Sequence, residues 1–210
     1  RKSGSRFSDQ DMRQNNQTSA RRLGALIVAL TFVLDQALKL WLLFGLKLAE
    51  EGPFQLTSFL EIVLAWNRGI SYGLFQQSTD IGRWALVVLS IAAAIWLWRW
   101  MWRSDDRLTV VSLALIIGGA LGNGLDRIVY GAVVDFVHVH VGSFSWYIFN
   151  IADAAIVFGV LGLLYESFRP RADRSKAARP GGRALDGWLA TGDLRRFGKG
   201  APDFAGYGLK

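Results

Sequence analysis

Long apolar stretches alternate with short polar segments along most of this chain. Four stretches reach the roughly 20 mostly apolar residues that a helix needs to cross a hydrocarbon core of about 30 Å. They cover residues 23–45, 81–102, 108–130 and 149–168. The pattern therefore predicts an all-α membrane protein, built as a bundle of four transmembrane helices.

The segment 46–80, between the first two spans, has a different period. Residues 59–66 alternate between two sets of side chains, as in a β-strand, and the run ends at the turn signal Asn67-Arg68-Gly69. We therefore expect a small extracellular sheet or hairpin here. It either covers the outer end of the bundle or cradles an extended peptide by strand addition, and the pattern leaves both roles open.

Charge is concentrated in the two flanks of the chain. Residues 1–22 carry a net charge of +4 and residues 169–210 a net charge of +6, whereas residues 23–168 carry −3. Basic flanks beside an apolar core indicate attraction to anionic lipid, and they argue against nucleic acid as a partner. Neither flank shows a sustained periodicity, so we expect both to be largely disordered. Residues 23–168 then form the membrane domain.

The basic residues also predict an orientation, because Lys and Arg collect on the cytoplasmic side of a membrane protein. Arginines precede span one, separate spans two and three, and follow span four. Both termini are then expected in the cytoplasm, with residues 46–80 and 131–148 on the outer face. The chain contains no cysteine, which excludes a thiol nucleophile and a cysteine-ligated metal.

Two aspartates stand where the predicted spans meet water on this outer side: Asp135 in VVDF and Asp153 in FNIAD. A carboxylate at membrane depth is costly, so a pair at one depth indicates a functional site. Two close carboxylates do not ionise together easily, so one holds a proton while the other accepts one from water. Asp153 by itself has a simpler explanation, because Asn150 and Asp153 have the spacing of a helix-capping pair.

Spans one and three carry further polar residues. Asp35 and Lys39 are four residues apart on one helical face, where each offsets the cost of burying the other. Gly118 and Gly122 have the spacing that lets two helix backbones approach closely. Polar residues at the end of span three share one predicted face: Asn123, Asp126 and Arg127. They form either an ion pair at a helix end or a contact to a peptide backbone or lipid head group.

Two other kinds of catalytic site are disfavoured. His138 and His140 alternate on a strand-like run and, with an acid, could bind a metal. Catalytic zinc generally has three protein ligands, however, and no HExxH motif is present, so we predict no metal. A serine nucleophile is weaker still, because no G-x-S-x-G motif is present and no base is evident for the candidate serines. Those candidates are Ser71, Ser143 and Ser145.

Five short motifs resemble, in order and spacing, those of the bacterial lipoprotein signal peptidase family, signal peptidase II. They are DQALK, NRGISYGLF, GNGLDR, VVDF and FNIAD, and the resemblance covers residues 23–168. It implies a membrane aspartic endopeptidase that cleaves a prolipoprotein on the N-terminal side of its diacylglyceryl-modified cysteine. It further implies a monomer in contact with lipid in the bacterial cytoplasmic membrane, with its active site toward the outer face and no metal or organic cofactor.

The same resemblance implies roles for individual residues. Asp135 and Asp153 match the catalytic pair. The residues that match the polar lining around the substrate are Asn67, Asn123, Asp126, Arg127 and Asn150. The residues that match supporting positions are Asp35, Lys39 and Gly69.

Two classes without peptidase activity are the alternatives. In a small proton-coupled transporter, the acids would form a relay across the bilayer. The relay would consist of Asp35, Asp126, Asp135 and Asp153. Most of these acids cluster toward the outer face, however, and no acid within span two continues the path inward. A non-enzymatic scaffold would explain each acid separately and would leave their convergence accidental.

Overall fold

The structure is a computed structural model, and it describes residues 4–69, 80–142 and 144–169. Long helices dominate the described part of the chain: α1 (Gly4–Leu40), α3 (Asp80–Arg103), α4 (Arg107–Tyr130) and α5 (Ile151–Phe168). A π-helical turn, Trp41–Gly45, extends α1 and leads to the short helix α2 (Leu48–Glu51). Within the described residues, four helical segments are long and apolar enough to cross a membrane, and they lie at the positions of the four predicted spans.

The N-terminal flank differs from its prediction. Residues 4–22 are the beginning of α1 and are therefore helical, not disordered. They contain no proline, and no glycine follows Gly4 before residue 24, so nothing in this stretch interrupts a helix. Starting a helix is the unfavourable step, and here the apolar span provides a helix that is already formed. The polar residues then extend this helix, and each added residue contributes one hydrogen bond. The C-terminal flank beyond residue 169 lies outside the described residues.

A small antiparallel sheet accompanies the helices. Its strands, in spatial order, are β1 (Phe54–Thr57), β2 (Leu60–Asn67), β3 (Val133–Val141) and β4 (Phe144–Ser145). The predicted strand in the first outer segment is confirmed as β2, and the predicted turn follows it, since Gly69 N–H donates to Asn67 Oδ1 at 3.1 Å. The register places Ala65 opposite Asp135. The sheet therefore joins the segment after span one to the segment before span four.

Helix α4 lies at the centre of the bundle. In the most apolar part of this helix 56% of the residues are buried, whereas in the same part of the other three spans the share is 28% or less. Glycines allow this close packing: a Cβ at Gly118 would lie 2.7 Å from Thr31 Cβ, and one at Gly122 would lie 2.7 Å from Asp35 Oδ2. The close approach predicted from the spacing of these two glycines is confirmed, and it brings the polar face of α1 against α4.

The surface of the bundle is strongly apolar. Large hydrophobic side chains are exposed along the helices, among them Val88 and Trp96 on α3 and Val157 and Phe158 on α5. Contiguous apolar surface of this kind is unusual for a protein in water and is typical of helices that face lipid, with tryptophans near their ends. The chain is therefore an integral membrane protein.

Candidate active site

Asp135 is a buried acid on strand β3, with 1% of its surface exposed. Its Oδ2 accepts a hydrogen bond from Asn67 Nδ2 at 3.1 Å, and its Oδ1 accepts one from Asn150 Nδ2 at 2.7 Å. Asn67 is the last residue of β2, so the pairing of β2 with β3 brings this amide to the acid. Each carboxylate oxygen thus has a neutral donor.

Asp153 lies in the first turn of α5 and is partly exposed. Asn150 is the N-cap of this helix: its Oδ1 accepts from Asp153 N–H at 2.9 Å, while Asp153 Oδ2 accepts from Asn150 N–H at 3.4 Å. The predicted capping pair is therefore confirmed. Capping leaves Asp153 Oδ1 available to Asn123, whose Nδ2 donates to it at 2.8 Å.

Asn150 connects the two acids, which we call the dyad. Besides binding Asp135, its Nδ2 lies 3.1 Å from Oδ1 of Asn123, the amide that binds Asp153. Backbone bonds between Phe149 and Val137, at 2.8 and 3.0 Å, hold this N-cap beside β3. Among the described residues neither acid of the dyad forms an ion pair. The two acids predicted to act together are therefore hydrogen-bonded by amides, with no cation in direct contact with either among the described residues.

The electrostatic setting of Asp135 suits proton transfer. Burial raises the pKa of the Asp135 carboxyl to about 7, and the negative charge of Asp153 acts in the same direction. The hydrogen bonds from Asn67 and Asn150 oppose that shift. A carboxyl with this pKa is partly protonated at neutral pH, and the second acid, Asp153, is partly exposed. The arrangement can hold a proton donor and a proton acceptor side by side.

Arg127 closes one side of the site. Its Nη1 donates to the carbonyl oxygen of Asn123 at 3.2 Å, and its Nη2 donates to the carbonyl oxygen of Gly69 at 3.0 Å. The guanidinium thereby ties α4 to the turn after β2, which gives Gly69 a supporting contact. Arg127 Nε is buried and has no hydrogen-bond partner among the described residues. The NRGISYGLF motif covers residues 67–75, and its part beyond Gly69 lies outside the described residues, which resume at residue 80.

Asp35, Lys39 and Asp126 form a second buried cluster, which we call the ion-paired triad. Lys39 Nζ lies 2.7 Å from Asp35 Oδ2 and 2.7 Å from Asp126 Oδ2. The ion pair predicted within span one is therefore confirmed. All three side chains are at most 1% exposed.

Asn123 and Asp126 lie on one face of α4, as predicted, because Lys39 Nζ lies 3.4 Å from Asn123 Oδ1 and 2.7 Å from Asp126 Oδ2. Asn123 also binds Asp153 of the dyad, whereas Asp126 binds Lys39 on α1. Asp126 is completely buried, and the substrate contact expected for it stays a prediction.

Two polar residues beside these clusters were missed by the sequence reasoning. Gln36 Nε2 lies 3.1 Å from Asp35 Oδ2 and 2.9 Å from Asp126 Oδ1, so it bridges both acids of the ion-paired triad. Tyr147 Oη accepts from Asn67 Nδ2 at 2.6 Å. Both residues adjoin the motifs, Gln36 inside DQALK and Tyr147 shortly before FNIAD, and that proximity was the available signal.

The prediction that the candidate serines have no base needs one correction. His138 Nδ1 lies 3.1 Å from Glu61 Oε2, and its Nε2 lies 2.7 Å from Ser145 Oγ. Ser145 thus has a base in register, contrary to the sequence analysis, because β4 folds back on β3. Ser71 and Ser143 lie outside the described residues. Within the described ranges, no group of three His, Cys, Asp or Glu side chains is arranged to hold a metal ion.

Comparison with known proteins gives a consistent result. A family model described as Signal peptidase (SPase) II matches residues 27–169. The chain is 57% identical over 160 residues to "Lipoprotein signal peptidase" of Methylobacterium radiotolerans, covering 75% of this chain and 94% of that protein. It is 56% identical over 149 residues to the protein of the same name from Methylocella silvestris, covering 71% and 87%.

One solved structure supports the fold. It is described as a bacterial membrane enzyme determined by the in meso method at 1.9 Å resolution. It superposes with a TM-score of 0.62 at 24% sequence identity, covering 71% of this chain and 94% of that one. At this identity the similarity shows a shared fold.

Proposed function

The chain belongs to the signal peptidase II family, and from that premise we propose that Asp135 and Asp153 are its catalytic pair. As a member it is an aspartic endopeptidase that removes signal peptides from prolipoproteins. The observation that carries the proposal for the two acids is their shared setting: both are bound by the same amide network, with no cation paired to either among the described residues. The transporter alternative finds no support in the comparisons.

The proposed mechanism follows from the difference between the two acids. Asp153 is partly exposed, so in its ionised form it accepts a proton from a water molecule as that water attacks the scissile carbonyl. Asp135, whose pKa is raised to about 7, holds the proton that stabilises the developing oxyanion and then passes to the leaving amine. The amides of Asn67, Asn123 and Asn150 orient the carboxylates through the hydrogen bonds described above.

Arg127 is the group that we propose to contact the peptide backbone. Two of its nitrogens are used by carbonyl oxygens of the protein, while its buried Nε has no partner among the described residues. A buried donor without a partner is costly, and a carbonyl oxygen of the substrate would satisfy it. The contact would hold the scissile bond beside the dyad.

Helix α5 offers an apolar path for the lipid on the substrate. Exposed apolar side chains follow Asp153 at helical spacing on the same face: Val157, Leu161 and Leu164. We infer that acyl chains of a diacylglyceryl-modified cysteine lie against this stripe, in the bilayer. The lipid would then place the bond on the N-terminal side of that cysteine at the depth of Asp153, and much of the catalytic positioning would come from it.

We also propose that the protein is a monomer in the bacterial cytoplasmic membrane, with both termini in the cytoplasm and the dyad toward the outer face. The segregation of arginines supports this orientation. Because the chain has no cysteine, single-cysteine variants test it cleanly. In intact spheroplasts, an impermeant maleimide should label Thr57→Cys and spare Arg107→Cys until the membrane is opened. The reverse pattern would contradict the orientation.

The test of function uses purified protein in detergent and two substrates that differ only in the diacylglyceryl group. The wild type should cleave the lipidated prolipoprotein and leave its unmodified counterpart intact. Asp135→Asn and Asp153→Asn should each lose at least about a thousandfold in kcat, as removal of a group central to catalysis does. Asp80→Asn is the matched control, because this acid is 87% exposed at the start of α3.

The outcomes separate the parts of the proposal. Near-normal cleavage by either dyad variant would disprove the assignment of the catalytic pair. Equal cleavage of both substrates would leave that assignment intact and would contradict the role given to the lipid. Unchanged melting temperatures of the variants show that the losses are catalytic.

A further inference from the structure

Asp35 reaches beyond its own ion pair to the start of α5. While its Oδ2 binds Lys39, its Oδ1 accepts a hydrogen bond from the backbone N–H of Ala152 at 3.0 Å. Ala152 immediately precedes Asp153, and it is fully buried. Asp35 on α1 therefore holds the backbone from which one carboxylate of the dyad extends.

Asp126 makes the equivalent contact to the other half of the dyad. Its Oδ2 binds Lys39 and also accepts from the backbone N–H of Val134 at 3.1 Å. Val134 immediately precedes Asp135 and is fully buried as well. Each acid of the ion-paired triad thus accepts a hydrogen bond from the backbone N–H of the residue that precedes one acid of the dyad.

Lys39 links Asp35 and Asp126, and thereby the two backbone contacts that they make. Its ammonium group lies at 2.7 Å from both carboxylates, and Gln36 spans the same two acids at 2.9 and 3.1 Å. Bonds to charged groups are stronger than those between neutral groups, and burial shields them from water. The path from Ala152 to Val134 therefore runs through short, charge-assisted bonds.

We propose that the ion-paired triad is a positioning device that sets the separation and direction of the two dyad carboxylates, without touching the substrate. The inference rests on the proposed function of the dyad. It gives Asp126 a role different from the substrate contact expected from the sequence. The device matters because a displacement of about 1 Å at a catalytic group can cost roughly a hundredfold in rate.

The test is Asp126→Asn in the purified full-length protein, with a lipidated prolipoprotein as substrate. The amide oxygen can still accept from Val134 N–H and from Lys39 Nζ, but the negative charge that pairs with Lys39 is lost, while Lys39 keeps Asp35 as its ion-pair partner. We expect kcat to fall about 10- to 100-fold, with KM within about threefold of wild type. Asp106→Asn on the same helix is the matched control, since Asp106 only caps α4 through Thr109 N–H.

Asp35→Asn repeats the test from the other side and should give the same loss of kcat. Wild-type kcat in both folded variants would overturn the proposal. A raised KM with unchanged kcat in Asp126→Asn would also overturn it, because it would indicate a substrate contact. Unfolding of both variants would contradict it too, since the cluster would then hold the fold and not the geometry of the dyad.

Asp135→Asn, measured in parallel, separates this inference from the function on which it rests. If Asp135→Asn also keeps wild-type kcat, the assignment of the dyad has failed. If it is inactive while the triad variants are fully active, only the positioning role has failed.

Discussion

This protein holds two pairs of carboxylates near one end of its bundle, and the two pairs differ in the groups that bind them. Asp35 and Asp126 share one lysine, 2.7 Å from each, and are sealed from solvent. Asp135 and Asp153 share asparagine amides, and Asp153 is partly exposed. A cation fixes the charge of the acids beside it, whereas neutral amides orient acids and leave a proton free to move. In the proposed roles, the same residue type thus serves structure in one pair and chemistry in the other.

The largest expected effect comes from removing the cation. Lys39→Met leaves two buried carboxylates facing each other without a counter-charge, which should cost about 3–5 kcal/mol in the free energy of unfolding. Thermal unfolding in detergent measures the loss. A variant that also carries Asp35→Asn and Asp126→Asn should recover most of it, because no charge is then buried. Equal stability of the single and triple variants would show that the lysine does not neutralise these acids.

The pH dependence of cleavage should reveal the titration of the proton that Asp135 of the dyad holds. Because the pKa of Asp135 is raised to about 7, the enzyme loses that proton as pH rises through this value. We expect kcat/KM to fall about tenfold per pH unit above it, as a single essential acid requires. An activity that stays level from pH 7 to 9 would contradict the assignment of Asp135 as the proton donor.

The same shift has a consequence for stability. Asp135 binds its proton more tightly in the folded state than at the ordinary value of 3.8, so the unfolded state carries fewer protons between pH 3.8 and about 7. Its contribution to the free energy of unfolding therefore decreases across that window and is constant above it. Asp135→Asn should weaken the pH dependence of the melting temperature in this range.

A smaller effect is expected from crowding the ion-paired triad. A Cβ at Gly122 would lie 2.7 Å from Asp35 Oδ2, so Gly122→Ala must displace that carboxylate, at about 1–3 kcal/mol. Gly124→Ala on the same helix is the control, since its Cβ would meet Ser90 Cβ at an ordinary 3.5 Å. Thermal unfolding and kcat should both decrease in the first variant only. Similar losses in the two would indicate a general effect of the helix.

The smallest effect concerns one amide of the dyad. Asn67 donates to Asp135 Oδ2, and this hydrogen bond lowers the pKa of Asp135 against the stronger effect of burial. Asn67→Ala should therefore move the descending limb of the pH profile to higher pH, by less than about one unit. A movement to lower pH would mean that Asn67 does not stabilise the ionised form.

Periodicity was enough to predict the four spans and strand β2, because burial in lipid and in a sheet leaves a regular pattern in the sequence. The capping of α5 and the Asp35–Lys39 pair were also predictable, since both depend on residues close in the chain. The bond of Asp126 to Lys39, the base beside Ser145 and the bridge made by Gln36 were not. Each depends on how separate elements pack, and side-chain direction around a helix changes with small rotations.

The capping box of α5 makes the two proposed catalytic positions unequal for protein engineering. At position 153 the same carboxylate takes part in the helix cap and is proposed to act in catalysis, so many substitutions in a library at this site will weaken the cap as well as the activity. Position 135 lies within strand β3 and does not cap a helix. Inactive but intact enzyme, suited to trapping a bound substrate for structural work, is therefore best made at position 135.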